Sequence, residues 1–211
     1  MRLYLSSYRL GEHGEHLRAM VRGAGRGHVI MNALDGGDEA RRQKDVRHQI
    51  RSLAEIGLEA TDLDLREHTP VSIDEAVGET DFLWVRGGNV FTLRMALACS
   101  GMDAVIRDGL SRDRFVYAGF SAGPCVLAPS LEGLEHCDPV EQCLAAYGEV
   151  RHDGLGVLDR PVVPHLDSPG HPETGLLGEV ASRYAADGTP FWGLRDGQVL
   201  LVDGEDGPRL L

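Results

Sequence analysis

Lysine is nearly absent from this chain: Lys44 is the only one among 211 residues. Covalent catalysis through a lysine Schiff base is therefore disfavoured. Positive charge is lacking overall. Asp and Glu number 33 against 21 Lys and Arg, a formal net charge of −12, which argues against general binding to nucleic acid or an anionic membrane. No apolar run approaches the roughly 18 residues that a membrane-spanning helix needs. Met1–Ser7 opens directly on strand-like alternation with no signal-peptide core, so the expected location is the cytoplasm. The four cysteines (Cys99, Cys125, Cys137 and Cys143) contain no C-x-x-C pair and are expected to be free thiols in a reducing compartment. Cys137 and Cys143 with His136 or His152 fit no standard zinc spacing, so no metal and no cofactor are expected.

What is present is an alternation of strand and helix. Strand patterns occur at Leu3–Ser6, His28–Ala33, Leu58–Leu65, Asp81–Val85, Phe115–Ala118 and Pro161–His165. Helical patterns fall between them: Glu12–Val21, a long one from Asp38 to a stop at Gly57, a short one opened by a capping box at Ser72–Glu75, Val90–Leu110 broken at Ser100–Gly101, and Thr174–Ala186. Phe191–Val202 reads as a hairpin around Asp196–Gly197, and residues 130–159 read as irregular. Such alternation predicts one α/β domain over residues 1–211, its mostly parallel sheet flanked by helices on both faces.

Gly119-Phe-Ser-Ala-Gly123 sits where an apolar strand meets a helix, the setting of a nucleophile elbow. So tight a turn demands small residues two before and two after the serine, and Gly119 and Gly123 supply them. Pro124 suits the first helical turn. Ser121 would stand at the carboxyl edge of the sheet, where ligand sites lie in such folds. The Ala122 N–H, unpaired at a helix start, would face a developing oxyanion. Gly87-Gly88-Asn89 should reach the same edge, with Gly88 offering the second oxyanion donor. A serine hydroxyl needs a base. His165, ending a late apolar strand, is the expected one, with His171 in reserve.

Val85-Arg-Gly-Gly-Asn-Val-Phe-Thr-Leu93, Tyr117-Ala-Gly-Phe-Ser-Ala-Gly123 and Val163-Pro-His165 together resemble the signature segments of the peptidase E family, serine peptidases related to cyanophycinases. Gly193–Val202 resembles that family's closing hairpin. The resemblance implies a class I glutamine amidotransferase-like (flavodoxin-like) fold and hydrolysis of dipeptides or short peptides. It implies Ser121 as nucleophile, His165 as base, and Gly88 and Ala122 as oxyanion donors. The family's triad glutamate corresponds to Asp196 here. Asp167, Asp138 and Glu135 are the rival acids. Asn89, Asp138 and Glu173 are expected at the substrate, and a homodimer is left open as the only protein partner.

Two other classes compete with this reading. An α/β-hydrolase esterase would also use the elbow, with Asp138 as its acid. A non-catalytic amidotransferase-like binding module would keep the fold without the chemistry. A glutaminase would need cysteine where Ser121 stands, and Cys125 is expected to be buried core. Relatives that cleave after aspartate carry an arginine where this chain has Gly175, and the next arginine is Arg183. Glu173 nearby would repel an acidic side chain. A neutral first residue is therefore expected, its amino group held by Glu173 or an acid of the Glu132–Asp138 loop.

Overall fold

Consecutive side chains of β1 (Arg2–Ser6) enter two different cores, Leu3 and Leu5 on one face and Tyr4 on the other. A strand buried on both faces needs helices on both faces. The computed structural model, which describes residues 1–204 and 206–211, supplies them. After β1 come α1 (Gly14–Met20), β2 (Arg26–Ile30), α2 (Glu39–Glu55), β3 (Glu59–Asp62), α3 (Ile73–Val77) and β4 (Phe82–Val85). Then follow α4 (Val90–Ser100), α5 (Met102–Ser111), β5 (Val116–Phe120) and the one-turn α6 (Ala122–Cys125). The remainder holds α7 (Val140–Tyr147), β6 (Val162–Val163), α8 (Thr174–Ala186), β7 (Trp192–Gly193), β8 (Val199–Asp203) and β9 (Asp206–Leu210).

The main sheet has strand order β3-β2-β4-β5-β1-β8-β9. Strands β1 to β5 are mutually parallel, and β8 runs antiparallel to β1 and β9. All five parallel strands therefore end at one edge. One core unites the inner faces of α3, α4, α5 and α8 with Leu83, Val85 and Tyr117. The other packs Leu17 of α1 and Val46 and Leu53 of α2 on Val29, Trp84 and Ala118. Burial of each such Leu or Val contributes roughly 1.5–3 kcal/mol. Trp84 keeps its indole N–H satisfied by donating to Gln49 Oε1 at 2.9 Å, which ties α2 to the sheet centre. Helix α2 begins where the Asp38 carboxylate accepts from Arg41 N–H at 2.9 Å, and the chain leaves it through Gly57 at φ +78°.

Four expectations are corrected. Phe191–Val202 is not a hairpin: β7 pairs in parallel with β6 in a separate two-stranded sheet, while β8 joins the main sheet beside β1. Arg195–Gln198 does form a tight turn, with Gly197 at φ +98°, but the strands around it pair elsewhere. The capping box at Ser72 is not made, because Ser72 Oγ instead accepts from Thr69 N–H at 3.0 Å and serves the turn before the helix. The stretch 130–159 contains α7, whose Cys143 is buried in the core. The third strand ends at Asp62, and a 3-10 turn at Leu65–Glu67 takes over, its Leu65 N–H bound by Asn32 Oδ1. All four cysteines are free. Among the described residues no helix is long and apolar enough to cross a membrane.

Candidate active site

The elbow is shaped by close approach. Gly119 pairs with Val85 across the sheet, and a Cβ there would lie 2.3 Å from the Val85 carbonyl oxygen; one on Gly123 would lie 2.5 Å from the same atom. With both positions bare, the chain turns sharply and Ser121 adopts φ +55°. That left-handed backbone is costly for a side-chain-bearing residue, and such strain concentrates at functional sites. Among the described residues the Ala122 N–H has no backbone partner, and neither does the Gly88 N–H. Gly88 sits at φ +143°, where a Cβ would come 2.6 Å from Ala33 O. Gly88 belongs to the walls of a cleft of about 470 Å³ that Ser121 and His165 also line, and Ala122 follows Ser121 directly at the start of α6.

His165 arrives from β6, beyond its last paired residue. Its backbone is also left-handed, at φ +56°, and its side chain is only 1% exposed. The pairing of β6 with β7 continues as Leu194 N–H to Val163 O and Leu166 N–H to Leu194 O, both 2.9 Å, which sets residues 194–196 beside the imidazole. Asp196 Oδ1 then lies 2.6 Å from His165 Nδ1. The rival acids are engaged elsewhere. Asp167 is exposed and pairs with Arg195, Glu135 pairs with His152, and Asp138 Oδ2 accepts from Val90 N–H at 2.9 Å. No hydrogen bond joins Ser121 Oγ to His165 among the described residues. Catalytic contacts of this kind are often long until substrate binds.

Burial pushes the His165 imidazole below its ordinary range; the Asp196 hydrogen bond opposes that, and the nearby His171 reinforces it. His171 stacks on His165 with ring centroids 3.5 Å apart and planes within 2°. Tyr8 meets both rings edge-on. His165, His171 and Glu173 bring ligand-type atoms within 4.8 Å of one another, as do His13, Glu15 and His16 on the surface. Parallel rings cannot both direct a ring-plane lone pair at one ion, so the first group as built does not hold a metal.

Ser7 is the residue that sequence reasoning missed. Fully buried just past β1, its Oγ accepts from His165 N–H at 2.8 Å and donates to Asp196 Oδ1 at 2.9 Å. Ser168 Oγ accepts from Asp196 N–H at 2.8 Å, and Thr174 Oγ1 donates to His165 O at 2.7 Å. The only signal for Ser7 was its place after an apolar strand, a place it shares with Ser121 and His165.

Asn89 lines the cleft, and each end of its amide also makes a bond within the protein. Its Oδ1 accepts from Thr92 N–H and caps α4, and its Nδ2 donates to Pro139 O at 2.8 Å. Within the fold, Asn89 also positions the Asp138 loop. Asp138 and Glu173 face the cleft. Burial and the Glu173 charge push the Asp138 carboxyl up to about 7, against the opposing Val90 N–H bond. Cys125 is buried, burial pushes its thiol well up, and its Sγ donates to Val162 O, so it is core. Arg183 lies outside the cleft and Gly175 is exposed.

A sequence model of Peptidase family S51 matches residues 39–209. The chain is 22% identical over 156 residues to an uncharacterized peptidase of Listeria monocytogenes, covering 74% of this chain and 73% of the relative. An uncharacterized peptidase of Listeria innocua is 26% identical over 118 residues, or 56% of this chain and 54% of the relative. Among solved structures, a candidate peptidase E protein from Listeria monocytogenes EGD-e aligns with a TM-score of 0.81 at 19% identity, covering 100% of this chain and 97% of the other. A peptidase from an acI-B1 Actinobacterium aligns at 0.69 with 17% identity, covering 100% and 86%. At such identities these two speak for the fold, the peptidase E-type, class I glutamine amidotransferase-like sandwich.

Proposed function

The chain belongs to Peptidase family S51, the serine peptidases of peptidase E type, and from that premise we propose that it hydrolyses dipeptides or short peptides through an acyl-enzyme on Ser121. The observation that carries this reading is the His165–Asp196 contact in the cleft that the strained Ser121 also lines. Asp196 accepts the Nδ1 proton of His165, which leaves Nε2 unprotonated and able to take the Ser121 proton. Ser121 Oγ bonds to the scissile carbonyl carbon, and its oxygen takes up negative charge toward the Gly88 and Ala122 N–H groups. Collapse breaks the C–N bond as His165 returns the proton to the leaving amine. Water, deprotonated by the same imidazole, then hydrolyses the ester and releases the carboxylate product.

Cleft charge supports the specificity expected from the sequence. Glu173 and Asp138 stand where a free amino group would be held, and no arginine occupies the Gly175 position. The first residue is accordingly neutral. An esterase using Asp138 is disfavoured by that residue's engagement with Val90 N–H.

A fluorophosphonate probe should label the wild type and fail on Ser121→Ala. Ser121→Ala and His165→Ala should each lose most peptide hydrolysis, with the double variant little worse than either single. Equal labelling of wild type and Ser121→Ala would refute the nucleophile.

A further inference from the structure

Sheet order gathers the cationic side chains of the cleft on one side of Ser121. Arg41 and Arg42 enter from the start of α2, which follows β2, and Arg86 follows β4; all three line the cleft. Ser121 follows β5. Tyr8 follows β1, the next strand, and His165, His171 and Glu173 are assembled beyond it against Ser7. Three guanidinium groups thus lie on one flank of the nucleophile, with Asp38 beside them at the start of α2 and Asp138 on Val90 N–H, and Glu173 lies on the other flank.

The three arginines are not equivalent. Arg42 is buried and paired with Asp62 and Asp64. Arg86 pairs with Asp45 at 2.9 Å, donates to Gly87 O and lies over the Phe120 ring, while its buried Nε has no partner. Arg41 is exposed, and among the described residues its guanidinium has no ion-pair or hydrogen-bond partner. The Arg41 charge also acts on Arg86, adding to the burial that pushes the Arg86 guanidinium down. Two like charges are thus brought together, Arg41 uncommitted and Arg86 with an unpaired N–H beside its Asp45 partner, and such a pair suits a carboxylate.

We propose that Arg41, backed by Arg86, binds the C-terminal carboxylate of the substrate, so that the cleft selects free dipeptides over longer or C-terminally blocked peptides. This rests on the peptidase reading above. Two extended residues span about 7 Å, and neighbouring strands are about 4.8 Å apart. The flanks lie one to two strands to either side of Ser121, and arginine's length covers the remainder. The planar fork suits a carboxylate. The reverse orientation would put the substrate ammonium against the arginines and its carboxylate against Glu173.

Alanyl-leucine and alanyl-leucine amide, which differ only in the terminal charge, provide the test. Wild type should favour the free dipeptide by about tenfold in kcat/KM, expressed in KM. Arg41→Gln should erase that gap by raising KM for the dipeptide alone. Arg41→Lys should keep part of it, and Arg47→Gln, on the exposed side of the same helix, should keep all of it. A gap that survives Arg41→Gln, an equal loss on both substrates, or loss instead of a preference for N-terminal aspartate would overturn the proposal. Calorimetric binding of both compounds to Ser121→Ala, with and without Arg41→Gln, reads the same gap without turnover, and its absence there overturns the proposal as well. Probe labelling of Ser121, unchanged in Arg41→Gln, reports separately on the peptidase reading.

Discussion

As the base of the proposed mechanism His165 must be neutral, so the direction in which burial moves it sets the expected pH dependence. Its pKa is held below the ordinary histidine value of about 6.5. Protonation should therefore remove activity only below that point. The kcat/KM profile is expected to rise along an acid limb whose midpoint lies under pH 6.5, then stay level through neutrality. A midpoint above 6.5 would mean that the Asp196 bond outweighs burial and the His171 ring. Ser7 belongs to the same scale. Ser7→Ala removes one donor from Asp196 and leaves the buried His165 N–H without its acceptor. An unsatisfied buried group costs roughly 1–3 kcal/mol, so we expect lower thermal stability together with a kcat reduced about tenfold and KM little changed. A variant that raised KM alone would show that Ser7 acts on substrate binding and not on the Asp196–His165 pair.

At the scale of the element, the start of α4 is met by Asp138 from the loop before α7. Its carboxylate accepts from Val90 N–H, a favourable position at a helix N-terminus. Burial and Glu173 nevertheless prevail and raise its pKa to about 7. An unfolded aspartate titrates near 3.9. Between about pH 4 and pH 7 the folded protein therefore holds a proton that the unfolded chain has lost. Stability attributable to this group falls with rising pH across that window and is constant above it. Asparagine offers Val90 the same acceptor without the charge. Asp138→Asn should thus raise the melting temperature at pH 8 and change it little at pH 4. A difference independent of pH would contradict the assignment.

At the scale of the whole molecule, the two cores share one sheet, and the short β6–β7 ladder hangs on it through Leu194, His165 and Ser7. Trp84 lies in the sheet centre and Trp192 in the short ladder, so the two indoles sample the two parts. If residues 1–211 are one folding unit, denaturant unfolding followed through Trp84 alone (in Trp192→Phe) and through Trp192 alone (in Trp84→Phe) should each give a single transition, with slopes that agree. A separate early transition seen only by Trp192 would divide the chain into two units.

Features governed by neighbours within a few residues were legible in the sequence. The Gly-x-Ser-x-Gly turn, the stop of α2 at Gly57, the break at Gly101 and the limits of α8 depend on turn sterics, helix termination and period, all of which act over about one helical turn. The alternation of elements also carried the α/β class, because a run apolar on both faces calls for cover on both. Strand partners were another matter. Asp196–Gly197 makes the expected turn, yet whether its flanks pair with each other or with β6 and β1 depends on which surfaces remain to be buried once the sheet has formed. The same long-range packing brings Ser7 to His165 across 158 residues of chain, ties Asn89 to Pro139 across the cleft wall, and gathers Arg41 and Arg86 on one side of Ser121. Local propensity identified the tight turn that carries Ser121. Only tertiary packing decided which acid meets the histidine and where the charges of the cleft lie, because residues distant in sequence meet only when the sheet edge assembles them.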